Sequence, residues 1–218
     1  MPIRLDQRLT AIANLVDYGK VADVGCDHGK LGYYLVSTDR ASEVIATDIS
    51  KPSLDKAKEL AFENGVADVM QTRLCDGLGA VDGEEVDTVI IAGLGGDVIS
   101  GIMQRAREAG KTFSSFILSP NTHPEKVRRE IVLSKHAIVF DEMLECAGKT
   151  YTIIKTKKGE SMLDDMQLTF GAFYKTSDNF EHFAKKELRS LENILSKNPE
   201  AQLQGKIDLI KSALGDRI

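Results

Sequence analysis

Val21-Ala22-Asp23-Val24-Gly25-Cys26-Asp27-His28-Gly29 reads as a short buried strand, Val21 to Val24, running into a glycine turn. Leu31 to Val36 then reads as the start of a helix. A strand, a glycine turn and a helix form the opening unit of a sheet that holds its ligand at the carboxyl ends of its strands. Upstream, Leu9, Ile12, Ala13 and Val16 recur at helical spacing behind Asp6, a candidate N-cap. Tyr18-Gly19-Lys20 closes that helix.

Downstream the alternation continues. Glu43 to Asp48 predicts a second strand ending in an acid, and Ser50 and Pro52 open a helix that stops at Asn64-Gly65. Ala67 to Leu74 predicts a third strand, Val86 to Ile91 a fourth and Phe113 to Leu118 a fifth. Helices are expected over Val98 to Ala109 and Pro124 to Leu133. His136 to Leu144 and Thr150 to Lys155 read as a hairpin. Such alternation implies parallel strands joined by right-handed crossovers. Beyond about residue 158 strand signals stop. Phe180, Ala184, Leu188, Leu191 and Leu195 form one helical stripe, and Leu203, Ile207, Ile210 and Leu214 form another. Asn198 and Pro199 supply a cap and first-turn residue between them. The expected organisation is an α/β domain over 1–158 and a C-terminal antiparallel helical module over 159–218.

Composition excludes several classes. No apolar run reaches the roughly 18 residues of a membrane span, and the N-terminus lacks a signal-peptide stretch. Cys26, Cys75 and Cys146 are too few and too dispersed for a disulfide framework or a metal site. A cytoplasmic setting is the expectation. The net charge of −5 argues against a general nucleic-acid coat, but leaves room for a local basic face.

The strand ends choose between ligands. They carry Asp23 and Gly25, Asp48 and Ile49, Asp76 and Gly77, Ala92-Gly93-Leu94-Gly95-Gly96, and Pro120-Asn121. A dinucleotide needs further glycines after Gly25 so that backbone can approach a pyrophosphate. The sequence has Asp27 and Lys30 there, and a carboxylate opposes phosphate. S-adenosylmethionine carries no phosphate; its ammonium and sulfonium suit acidic surroundings. Asp48 suits the two ribose hydroxyls and Asp76 the adenine amino group. Each residue taken singly also has a plain role in a turn or cap.

Leu5-Asp6-Gln7-Arg8-Leu9, Ala22 to Gly29, Ile91 to Gly96 and Ile117-Leu118-Ser119-Pro120-Asn121 together resemble the bacterial TrmK enzymes, which methylate N1 of adenine 22 in tRNA. The resemblance implies a Rossmann-like class I methyltransferase sheet, S-adenosylmethionine as cofactor and tRNA as partner, with no membrane or DNA partner. It also implies a C-terminal coiled-coil module. The sequence departs from the family at Lys30-Leu31-Gly32, where an aromatic residue and Leu-Pro are usual. Tyr33 and Tyr34 are then candidates for aromatic surface from a shifted position.

Adenine N1 has its own lone pair, so positioning matters more than a strong base. Asp27 is the candidate catalytic residue for polar or proton-handling work. Asp23, Gly25, His28, Asp48, Ile49, Asp76, Gly77, Ala92 and Gly93 are the candidate cofactor residues. Leu94 and Gly95, where backbone can approach a flat base, join Pro120 and Asn121 as candidate substrate residues. Lys126, Arg128 and Arg129, with Lys185 and Lys186, are expected to meet tRNA phosphates. Three other readings fit less well: a small-molecule methyltransferase, a non-catalytic S-adenosylmethionine-binding regulatory or scaffold protein, and an NAD-dependent oxidoreductase.

Overall fold

The structure is a computed structural model and describes residues 3–197 and 201–215. Its strands are β1 (Lys20–Val24), β2 (Glu43–Asp48), β3 (Met70–Leu74), β4 (Thr88–Ala92), β5 (Ser115–Ser119), β6 (His136–Cys146) and β7 (Lys149–Lys158). Its helices are α1 (Gln7–Asn14), α2 (Lys30–Ser37), α3 (Lys51–Glu63), α4 (Gly96–Glu108), α5 (Pro124–Leu133), α6 (Asp165–Phe170), α7 (Phe180–Lys197) and α8 (Ala201–Gly215).

One sheet carries all seven strands in the order β3-β2-β1-β4-β5-β7-β6. β1 to β5 run parallel, and β7 lies antiparallel to both β5 and β6. Strand order reverses between β1 and β4, so a crevice opens at their carboxyl ends.

The central strands are apolar throughout because both faces are covered. Ala22, Val24, Val89, Ile91, Phe116 and Leu118 face α4 and α5. Their neighbours Val21, Ile90 and Ile117 face the other way, toward α1, α2 and α3. Period-two alternation therefore feeds two cores from the same strands. Local signals set the helix starts. Asp6 accepts from Leu9 N at 2.7 Å, and Ser50 accepts from Ser53 N.

The differences from the sequence reading are local. β7 extends to Lys158, and the hairpin turns on Ala147-Gly148, both at positive φ. That is the geometry of a two-residue hairpin turn. The short helix α6 was not foreseen. It starts at a capping box in which the Asp164 side chain accepts from Gln167 N and Gln167 Oε1 accepts from Asp164 N. Helices α7 and α8 pack together around Phe180, Ala184, Leu191, Ile207 and Ile210, with Met143 of β6 against them. Asn198 and Pro199 fall outside the described residues. Tyr33 and Tyr34 supply no aromatic surface to the crevice. Tyr33 is buried with its hydroxyl on Asn64, and Tyr34 packs against the same core. The crevice is reached from α2 by Lys30 and Leu31 instead. Among the described residues no helix is long and apolar enough to cross a membrane.

Candidate active site at the strand ends

Three left-handed residues shape the first loop: Gly25 at φ 72°, Asp27 at 51° and Gly29 at 70°. Gly25 N and Cys26 N both donate to Thr47 O, at 2.8 and 3.0 Å, so the loop is laced to β2. Gly29 has a packing reason as well. A Cβ there would lie 2.7 Å from Met70 and 2.8 Å from Ala57. Asp27 N donates to Asp48 Oδ2 at 3.1 Å, and Ser50 N donates to Asp48 Oδ1 at 2.8 Å. Asp48 thus ties the first loop to the start of α3.

These loops enclose a cavity of about 500 Å³. It collects every sequence-predicted cofactor residue: Asp23, Gly25, His28, Asp48, Ile49, Asp76, Gly77, Ala92 and Gly93. Asp27 and Leu94 line it too, and Leu94 sits across from Gly25 at 3.5 Å from its ideal Cβ position. A cavity of similar size, about 510 Å³, opens at the opposite end of the sheet around Phe113, Phe116 and His136. Size therefore does not single out the site; the acidic and glycine-bearing strand ends do.

The polar groups differ sharply in their surroundings. Asp23 is 5% exposed and its Oδ2 has no hydrogen-bond partner. Burial, and then the nearby Asp48 carboxylate, push its carboxyl up to about 7 against a Gly32 N–H that lowers it. The fold keeps this proton where the unfolded chain has lost it. The contribution is full below about pH 4 and is lost as pH rises to about 7. Stability should fall by on the order of 4 kcal/mol over that window. In Asp23→Asn this share of the slope should vanish, as urea unfolding across pH would show. Parallel slopes in the two proteins would contradict the assignment. The Cys26 thiol is pushed well above its ordinary range by burial and by Asp23 and Asp48, so it stays protonated and poorly nucleophilic.

Asp27 is 77% exposed at its side chain, with its carboxylate 3.4 Å from His28 Nε2. The same His28 nitrogen faces Lys56 Nζ at 3.1 Å. One ring nitrogen cannot accept from an ammonium and donate to a carboxylate at once. Asp76 pairs with Arg105 through both oxygens, at 3.0 and 3.1 Å.

Pro120 and Asn121 do not line this cavity. They line an adjoining one that continues to α7 and α8. Asn121 instead braces the glycine loop: its Nδ2 donates to Gly93 O at 2.6 Å and its N to Leu94 O at 2.8 Å. Gly95 caps α4 from the same loop. Lys126 pairs with Asp97, and Arg129 lies 3.8 Å from Asp165 in an exposed contact. Lys185 pairs with Glu181, and Lys186 with Glu145.

Arg128 corrects the expectation of a phosphate contact. Its side chain is 2% exposed, and it grips Asp141 with Nε and Nη2 at 2.8 and 2.9 Å. Its Nη1 donates to the carbonyls of Leu168 and Thr169. It anchors α6 to the sheet and offers phosphate no open face.

The residue that sequence reasoning passed over is Arg8. It belongs to a quoted motif but received no role, because only the tertiary fold turns it from α1 into the cavity. Its guanidinium lies 5.1 Å over the Tyr151 ring, and Nη1 is buried without a hydrogen-bond partner.

A sheet with this strand order and acidic, glycine-bearing strand ends defines a methyltransferase of the Rossmann-like kind. Residues 5–154 match the methyltransferase domain family, to which the chain belongs. More narrowly, it belongs to the tRNA (adenine(22)-N(1))-methyltransferase family. It is 30% identical over 172 residues to the Bacillus subtilis (strain 168) enzyme of that name, covering 78% of this chain and 72% of that one. The Streptococcus agalactiae NADB-Rossmann superfamily structure superposes with a TM-score of 0.90 at 28% identity, covering 98% of this chain and 99% of that one. Streptococcus pneumoniae Sp1610, solved in complex with S-adenosyl-L-methionine, gives 0.87 at 29%, covering 97% of this chain and all (100%) of that one.

Proposed function

We propose that the chain transfers a methyl group from S-adenosylmethionine to N1 of adenine 22 in tRNA. The observation that carries this is the cavity at the switch between β1 and β4, with Asp23, Asp27, Asp48 and Asp76 around it and glycines 25, 77 and 93 at the turns. The unpartnered Asp23 Oδ2 suits a cationic ligand there. Asp48 and the exposed Ile49 would hold the ribose and one adenine face, and Asp76 and Gly77 the adenine edge. When bound, S-adenosylmethionine supplies a methyl group made electrophilic by its sulfonium.

Alkylation at N1 places positive charge on the target ring. Asp27, held in the left-handed region by its N–H bond to Asp48, sets a carboxylate where that charge develops. Leu94, Gly95, Pro120 and Asn121 form the ledge on which the base rests, with Asn121 fixing the glycine loop. Lys126 and Arg129 flank Arg128 on α5, and their exposed ion pairs with Asp97 and Asp165 can be exchanged for phosphates. The methyl-transfer domain is read as residues 1–158, and residues 159–218 as the helical module that widens the tRNA-facing surface.

Transfer of labelled methyl to unmodified tRNA tests the reading. Tritium should enter a tRNA with adenine at position 22 and not one with guanine there. Equal labelling of both would overturn the positional assignment.

A further inference from the structure

We propose that the cavity where β5 and β6 begin binds an organic anion with a flat apolar body, in the simplest case an aromatic carboxylate. The cavity measures about 510 Å³, within the usual range for small-molecule sites. The last turns of α4 and α5 wall it, at the other end of the sheet from Asp23 and Gly93. Among the described residues none lines both this cavity and the crevice at β1 and β4.

Its floor is apolar and aromatic. Met103, Phe113 and Phe116 line it and are otherwise buried. Phe113 and Phe116 meet edge to face at 5.7 Å, and the His136 ring meets Phe116 in the same way at 5.0 Å. Ring edges and a polarisable thioether suit a flat ring laid against them.

The polar groups around this floor are mostly cationic. His136 is buried, with Nδ1 at 2.9 Å from Ser134 O and Nε2 at 3.1 Å from Phe113 O. A neutral imidazole can donate to only one of these carbonyls, whereas the imidazolium donates to both. Across the hairpin His136 pairs with Lys158, so the two side chains leave the same face of the sheet. Like charges placed directly opposite destabilise a sheet, and an anion between them removes that cost. Lys135 stands at φ 55° just past the end of α5, where glycine is the ordinary residue. Its carbonyl accepts from Gly159 N, which holds Lys135 beside the end of β7.

Arg107 and Lys111 also line the cavity, but they are engaged. Arg107 pairs with Glu130, and Lys111 with Asp82 and the carbonyls of Leu78, Gly79 and Val81. Lys135 and Lys158 have no ion pair among the described residues. Glu160 is the only carboxylate among the described lining residues, and it is exposed. Positive charge is therefore in excess over an apolar floor. A bare phosphate would gain the lysines without the floor, and a neutral aromatic the floor without the lysines. An aromatic carboxylate gains both.

Amide NMR titration of the full chain tests this with naphthalene-2-carboxylate, naphthalene-2-methanol and inorganic phosphate. The carboxylate should bind saturably, with shifts at Phe113, His136 and Lys158, about 10-fold more tightly than the alcohol. Phosphate should give no saturable shift there. A Lys135→Asn, Lys158→Gln double variant should lose most of the preference for the acid. Asn accepts the left-handed position, and unchanged binding of the alcohol shows that the cavity is intact.

Equal wild-type affinity for acid and alcohol, or saturable binding of neither, would overturn the proposal. A preference that survives in the double variant would do the same. Shifts confined to Gly25, Cys26 and Asp27, abolished by S-adenosylmethionine, would place the acid in the other cavity. Displacement of the acid by tRNA would give this face to the RNA instead.

Discussion

An Asp27→Asn enzyme is expected to lose about 100- to 1000-fold in kcat while binding S-adenosylmethionine within a few-fold of wild type. The substitution is a clean one. Asn tolerates the left-handed conformation that Asp27 adopts at φ 51°, and the N–H bond to Asp48 belongs to the backbone and survives. What changes is the negative charge that the proposed mechanism sets beside a ring made cationic as N1 is alkylated. Uniform binding would be spared and transition-state stabilisation lost, so kcat and kcat/KM should fall together. Single-turnover rates with saturating tRNA, set beside calorimetric cofactor affinity, separate the two effects. Near-normal kcat would remove Asp27 from the chemistry and leave it as a loop residue.

The second large effect concerns stability. Asp141→Ala should cost about 3 to 5 kcal/mol, because it strands a guanidinium that has almost no access to water. Asp141 Oδ2 also accepts from Ala172 N at 2.8 Å, so the loss extends beyond the ion pair. The segment from α6 to residue 172 is joined to the sheet through these bonds. It should become the first part of the chain to exchange its amide hydrogens. Urea unfolding gives the free energy, and hydrogen exchange locates the loosened segment. An Arg128→Met, Asp141→Leu pair should recover much of the stability, since matched apolar groups need no partner. A loss under 1 kcal/mol for Asp141→Ala would show that water reaches Arg128.

The contrast between Arg128 and its neighbours shows where sequence stops being informative. Lys126, Arg128 and Arg129 look alike as a basic run on one helix. Which of them is buried depends on Asp141, on a strand that follows, and on carbonyls about 40 residues on. No local pattern encodes that. Arg8 has the same history: its place in the cavity, between Gly93 and the Tyr151 ring, is set by residues distant in sequence.

The central sheet, in contrast, was legible because its strands are buried on both faces and leave unbroken apolar runs. The first loop was legible because Gly25 and Gly29 are needed where φ is positive, and Asp27 because it denies the loop to a pyrophosphate. Pro124 to Leu133 was read to the residue, since proline starts α5 and the apolar period ends with it. The six-residue α6 is too short for periodicity to reveal; its Asp164-Gln167 capping box was the available signal.

The most direct test of the account is the identity and position of the product. Unmodified tRNA bearing adenine 22 is incubated with the protein and S-adenosylmethionine, cut into oligonucleotides, and read by mass spectrometry. The account predicts 1-methyladenosine in the oligonucleotide that contains position 22, and only there. A protein that binds the cofactor but leaves that adenine unmethylated, or places its methyl on the exocyclic amine, would contradict it.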